Sequence, residues 1–269
     1  SDIVETPNGE WWMVLLASRP YGGYYRNLGR ETFLVPFTWE EGWPVVKPGK
    51  SIVEMEEVRP NLPEQRWIQP PACDNFDSSE LGMQWIHLRT PREPFMSLDE
   101  RPGHLRLKLR PQTMKENAQP SFVGRRQQHI HFNARTVLEF SPRTEHESAG
   151  VVLLQSSRYH FRYEVLLSGG TKVVRLTKCS DGKDEVLAER AIAEDKLYLT
   201  IEAHEQDYSF YYGARAEEYQ PLAENVDGRI LSTDVAGGFV GACLGMYASS
   251  NGQPSDNAAD FDWFEYTGH

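Results

Sequence analysis

The chain has 269 residues, 39% of them hydrophobic and 12% aromatic, and a formal net charge of -11. That is enough apolar content for one large or two ordinary folded domains, and a mean hydropathy of -0.56 without a long apolar run argues against a membrane-spanning helix. The acidic balance disfavours nucleic acid or an anionic membrane surface as partner, since both need a basic footprint, and leaves neutral ligands such as sugars open.

In chain order, the first segment reads as strands and turns. Asp2 to Thr6 is short and β-branched, and Pro7-Asn8-Gly9-Glu10 carries the Asn-Gly signature of a two-residue hairpin. Trp11 to Leu16 is the returning strand, and its near-continuous apolarity predicts burial on both faces. Glu31 to Phe37 reads as a third strand and Gly42 to Val46 as a fourth, after a Glu41-Gly42 turn. This is one antiparallel four-strand unit of propeller-blade size, and a lone blade needs neighbours to cover its faces. A proline-rich stretch follows, with Arg59-Pro60, Leu62-Pro63 and Gln69-Pro70-Pro71, and marks the domain boundary.

From Cys73 onward the pattern is again β. In His104 to Arg110, His, Arg, Lys and Arg alternate with three leucines, and His129 to Ala134 alternates in the same way. Further strands are read at 135–140, 150–154, 159–165, 172–176, 197–203 and 208–212, with Gly169-Gly170 and Asp181-Gly182 as turns. Asp260 to Tyr266 closes the series. No helix longer than about three turns is expected. Strands at this spacing predict a two-sheet antiparallel sandwich of the jelly-roll kind.

Several groups of residues carry the resemblance. They are Glu10-Trp11-Trp12, Leu28-Gly29-Arg30-Glu31-Thr32 and Trp39-Glu40-Glu41-Gly42-Trp43-Pro44 in the first segment. In the second they are 102–107, 122–127, Gly237-Gly238-Phe239-Val240-Gly241 and 260–264. The first set resembles the end of the catalytic five-bladed propeller of glycoside hydrolase family 43, the β-xylosidase and α-L-arabinofuranosidase group. The second set is similar to the concanavalin-like sandwich appended to β-xylosidases of that family. The resemblance implies an all-β chain divided into a propeller segment at 1–58, a linker at 59–72 and a sandwich at 73–269.

It also implies that the general base, the general acid and the carboxylate that tunes the acid precede Ser1, as does a histidine near the propeller centre. The expected activity of the complete enzyme is inverting release of β-1,4-linked xylose from the non-reducing end of xylo-oligosaccharides. α-L-arabinofuranosidase activity is the alternative, and a non-catalytic carbohydrate-binding module is the reading from a different class. The chain alone is expected to be inactive, its partner being the missing N-terminal propeller portion. Homo-oligomerisation is left open, and no cofactor is required.

Two residues are singled out for substrate binding. Arg30, in the Gly-Arg-Glu-Thr run, reads from its chemistry as either a forked donor to sugar hydroxyls or half of a structural ion pair. The resemblance places it in the active-site floor. Phe239, after two glycines that let the backbone bend, reads as a core aromatic or a presented ring. The resemblance makes it one wall of the substrate pocket, which implies cleavage at chain ends.

The remaining readings are structural. Trp11, Trp12, Trp39 and Trp43 read as packing, with sugar stacking as the alternative. Glu54, Glu56 and Glu57 read as a solvated charge run, and His129 and His131 as a polar sheet face without a third metal ligand. Asp74, Asp77, Asp260 and Asp262 read as turns and caps, with a structural Ca²⁺ as the alternative. Tyr208 to Tyr212 reads as a strand with aromatic pairs, a sugar platform being the minor reading. Cys73, Cys179 and Cys243 are odd in number and far apart, so buried thiols are expected rather than disulfides or zinc. Ser1 to Val4 lacks a basic start and an apolar stretch, and no Asn-x-Ser/Thr sequon occurs. The compartment, cytoplasmic or secreted, stays open.

Overall fold

The computed structural model describes residues 1–46, 53, 54 and 56–269; the part of the expected propeller segment at 47–52 and 55 lies outside the described residues. The chain forms two compact units. One holds residues 1–19 and 30–70, the other 20–29 and 71–269.

The first unit is a four-stranded antiparallel sheet in the order β1-β2-β3-β4. Its strands are β1 (Asp2–Glu5), β2 (Trp11–Ala17), β3 (Glu31–Glu40) and β4 (Trp43–Val46). The first turn is not the two-residue hairpin that Asn-Gly suggests. Gly9 N donates to Thr6 O at 2.9 Å and Thr6 N to Glu10 O at 2.8 Å, so three residues form the loop. Pro7 is the reason: a two-residue Asn8-Gly9 loop would close on Pro7, which has no N–H to donate to Glu10 O, so the pairing falls to Thr6 and only Gly9 takes a positive φ, at 81°. The primed turn instead joins β3 to β4, where Glu41 (φ 50°) and Gly42 (φ 83°) both lie in the left-handed region.

The two faces of this sheet differ. On one face Trp39 meets Trp11 and Phe37 edge-on and those two rings tilt against each other, with centroids 5.3 to 5.9 Å apart, and Val35 beside them is fully buried. On the other face Val4, Val14, Leu16 and Leu34 are exposed, Leu16 by 57%. Among the described residues this face of β2 is covered only at Trp12, which is buried, and not at Val14 or Leu16. A single sheet covers only the face that packs.

The second unit is a two-sheet sandwich. In chain order its strands are β5 (Cys73–Asp74), β6 (Ile86–His87), β7 (Met96–Ser97), β8 (Leu105–Lys108), β9 (Ser121–Arg126), β10 (His131–Glu139), β11 (Ser148–Ser156), β12 (Tyr159–Ser168), β13 (Thr171–Ser180), β14 (Lys183–Ala191), β15 (Lys196–His204), β16 (Asp207–Gly213), β17 (Gln220–Asp227), β18 (Cys243–Ser249) and β19 (Ala258–Gly268). One sheet runs β17-β16-β15-β10-β19-β8-β7, with β5 also on β19. The other runs β14-β13-β12-β11-β18-β9-β6. The only α-helix among the described residues is the single turn α1 (Thr233–Ala236), which follows a 3-10 turn at Gly228–Leu231.

The alternation read from sequence sets the faces. Leu105, Leu107 and Leu109 point into the core, as do Phe132 and Ala134 on β10 and Leu197, Leu199, Ile201 and Ala203 on β15. Gly169-Gly170 and Asp181-Gly182 have positive φ at both residues and make two-residue turns, β12 to β13 and β13 to β14. β11 is buried on both faces. Ala149, Val151 and Leu153 face the main core, while Val152 and Leu154 pack with Met114, Phe122 and Tyr247 in a second cluster. β19 closes the series from a central place, between β10 and β8, and its Phe264 and Glu265 face Asp74 and Cys73 of β5.

Residues 20–29 belong to this unit through a buried polar network. Asn27 is fully buried and donates from Nδ2 to Gly228 O (3.1 Å), and its Oδ1 accepts from Gln206 Nε2 (3.0 Å). Tyr208 OH donates to Gln127 Oε1 at 2.9 Å, and burial pushes its phenol pKa up to about 12. Gly29 and Gly241 approach so closely that a Cβ on Gly29 would lie 2.2 Å from Gly241 N. Any larger residue at either position meets backbone that cannot yield.

Candidate functional site

Arg30 directly precedes β3 in the first unit and is exposed. Its predecessor Gly29 sits at φ 68°, a left-handed conformation that glycine adopts without strain.

Phe239 belongs to the second unit, on the loop that leaves α1, and is 69% exposed. It is not a core aromatic. Gly237 and Gly238 take φ values of 77° and 78°, a region closed to most side chains. The loop is held on both sides of the ring. Gln155 Nε2 donates to Gly237 O (3.3 Å) and Val240 O (3.2 Å), and Ala242 N donates to Asn27 O (2.7 Å). Ser232 caps α1 by accepting from Val235 N at 3.2 Å. Asp234 on the same turn pairs with Arg26 and accepts from its backbone N–H at 2.8 Å. An aromatic ring on an anchored loop can meet a ligand with little further loss of conformational freedom.

The other singled-out residues separate clearly. Trp11 and Trp39 pack against Phe37 and Trp12 is buried, but Trp43 is 75% exposed, so packing does not account for it. Glu56 is exposed, whereas Glu54 and Glu57 are half-buried. His131 shares a sheet face with His204, the rings 5.7 Å apart, while His129 lies before β10 near the Tyr266 ring.

The four aspartates do not converge. Asp74 accepts from Trp85 Nε1 (2.7 Å) and from Phe76 N (2.9 Å). Asp260 accepts from Arg106 Nε (2.7 Å) and Arg101 Nη1 (2.8 Å). Burial alone would raise the Asp260 carboxyl pKa, but the two guanidiniums outweigh it and hold the pKa below the usual carboxylate range. Asp262 joins His104 and Glu139 in the one grouping of metal-type ligand atoms among the described residues, all within 4.8 Å. Lys196 Nζ already bonds two of them, Glu139 Oε1 at 3.1 Å and Asp262 Oδ2 at 3.2 Å. A cation there would compete with this ammonium.

Sequence reasoning touched one feature only through Tyr211, in the run whose minor reading was a sugar platform, and missed the rest of it. On the outer face of the β10-β15-β16 sheet, Asn133, Arg135, Thr200, Glu202, Tyr211 and Tyr219 line a depression of about 410 Å³. Its signal was the polar half of the same alternation that revealed the core.

Residues 73–267 match the family model of the beta xylosidase C-terminal concanavalin A-like domain, and residues 1–44 match that of glycosyl hydrolases family 43. The chain therefore belongs to glycosyl hydrolase family 43 and carries the C-terminal concanavalin A-like domain of its β-xylosidases.

Among similar proteins, the non-reducing end alpha-L-arabinofuranosidase of Bacteroides ovatus is 39% identical over 99% of this chain and 50% of its own length. A xylosidase/arabinosidase of Butyrivibrio fibrisolvens is 37% identical over 98% of this chain and 51% of its own length. A solved xylan beta-1,4-xylosidase from Bacillus halodurans superposes with a TM-score of 0.90 at 32% identity, covering 98% of this chain and 52% of that one. This chain thus spans about half the length of the relatives it matches.

Proposed function

We propose that this chain is the C-terminal part of a glycoside hydrolase that releases β-1,4-linked xylose from the non-reducing end of xylo-oligosaccharides, with inversion. The observation that carries the reading is the succession, in one chain, of a family 43 match and a β-xylosidase sandwich match. In this reading the partner is an N-terminal propeller portion. It supplies a carboxylic acid that protonates the leaving oxygen and a carboxylate that activates water on the opposite face of the sugar. Arg30 contributes a fixed forked donor to sugar hydroxyls, and the exposed Phe239 ring blocks passage of a long chain, which directs cleavage to chain ends. This chemistry calls for no cofactor.

A second reading, release of α-L-arabinofuranose, is favoured by the printed activities of the Bacteroides and Butyrivibrio relatives. The two pentoses present similar hydroxyls, so pocket shape decides between them. The test is the complete enzyme on p-nitrophenyl β-D-xylopyranoside and p-nitrophenyl α-L-arabinofuranoside, with the anomer of the first product followed by NMR. Higher kcat/KM on the xyloside and release of α-xylose support the first reading. Preference for the arabinoside supports the second, and initial release of β-xylose contradicts inversion.

A further inference from the structure

The depression on the outer face of the sandwich has the construction of a ligand site. Two rows of side chains cross three strands: Arg135, Thr200 and Tyr211 are in register, and Asn133 and Glu202 pair beside them. Tyr219 completes the lining from the segment before β17. Within this lining Thr200 is only 4% exposed, yet its Oγ1 has no hydrogen-bond partner among the described residues. A buried hydroxyl without a partner is unfavourable, and a valine of the same shape would avoid that cost. The other polar groups show what is left to offer. Arg135 is already committed to Glu265, its Nε 3.0 Å from Oε1, and Tyr211 OH donates to Glu224 at 3.1 Å. Asn133 and Glu202 add an amide and a carboxylate to the wall.

We propose that this depression is a binding site for a neutral glycan. Two tyrosine rings give a surface for the apolar face of a sugar ring. Thr200, Asn133 and Glu202 supply the donors and acceptors that hydroxyls require, and the volume lies in the range of small-ligand sites. An anionic ligand is disfavoured, because Arg135 is neutralised by Glu265 while Glu202 and Glu224 stand nearby. On the same face, two residues along β15, Tyr198 meets the Trp263 ring at 6.5 Å and offers further aromatic surface to a longer chain. The site rests on the sandwich alone and does not depend on the hydrolase reading.

The test is calorimetric titration of the 269-residue chain with xylohexaose and, separately, cellohexaose, for the parent and for Thr200→Val, Tyr211→Ala, Tyr219→Ala and Arg30→Ala. Saturable binding of at least one hexaose is expected. Thr200→Val weakens it about fivefold, the worth of one net hydrogen bond, while the melting temperature stays level or rises. Each tyrosine variant weakens binding about tenfold. Binding of neither hexaose overturns the proposal, as does binding indifferent to Thr200, Tyr211 and Tyr219. Binding that depends on Arg30 and ignores Thr200 also overturns it, and leaves the hydrolase reading standing.

Discussion

β2 of the four-stranded sheet and β11 of the sandwich look alike as sequences, each a run of apolar residues, yet they end in different surroundings. β11 is covered on one face by the main core and on the other by Met114, Phe122 and Tyr247, whereas β2 leaves Val14 and Leu16 exposed. An apolar run says that a strand is able to be buried twice. Whether it is depends on what the rest of the fold lays over it. The difference also separates tasks: the sandwich has a complete core that sets stability, while the small sheet carries Arg30, which we propose to bind substrate.

Substitutions should separate the two regions. The largest effect is expected from Arg30→Ala in the complete enzyme, which lowers kcat/KM on a xyloside by an order of 10²–10³ through loss of a charged donor. The melting temperature of the sandwich stays within a degree or so of the parent's, measured by calorimetry alongside the kinetics. A matching loss of stability would make Arg30 structural and blur the division.

The converse experiment is Phe261→Ala. Phe261 is fully buried in the main core, and its truncation is expected to cost about 3–5 kcal/mol in denaturant unfolding. The charged pair on the other face of β12 follows. Arg162 and Glu164 bond at 3.1 Å with side chains only 16% and 6% exposed. Arg162→Met strands a buried carboxylate and is expected to cost about 3 kcal/mol.

His160 adds a pH dependence. Burial, and then the charge of Arg162, push its pKa down to about 4. The unfolded chain, with an ordinary histidine, therefore takes up a proton between pH ~6.5 and ~4 that the folded chain refuses. Stability is intact above pH ~6.5 and declines by about 3 kcal/mol towards pH ~4. Glu139, Asp184 and Asp260, whose folded pKa values are lowered, extend the loss to more acid pH. His160→Gln should flatten the slope between pH ~6.5 and ~4 in urea titrations, and an unchanged slope would assign it to other groups. The smallest effect is expected on the open sheet face, where Leu16→Thr changes stability by less than about 0.5 kcal/mol. A large loss there would mean that this face is covered after all.

Much of the fold was legible in the sequence because alternation is a local signal. The leucines of 105–109 and the polar partners between them fell on opposite faces as read, and the Gly-Gly and Asp-Gly turns fell where φ turns positive. Pro7 was the local cue that overruled the Asn-Gly turn, and it was visible in the sequence. What could not be read was any feature that depends on distant residues. Gln155 steadying the Phe239 loop, Lys196 lying between Glu139 and Asp262, and Thr200 left without a partner each join segments dozens of residues apart. The uneven cover of β2, buried at Trp12 and exposed at Val14 and Leu16, is of the same kind, since strand sequence cannot tell which layers a chain supplies.

The central claim is that this chain holds substrate-binding parts of a hydrolase whose acid and base lie on other sequence. The most direct measurement compares turnover of p-nitrophenyl β-D-xylopyranoside by the purified 269-residue chain with turnover by the complete enzyme. The account predicts hydrolysis by the complete enzyme and none by the chain alone. Turnover by the chain alone, abolished by changing one of its own carboxylates, would contradict it.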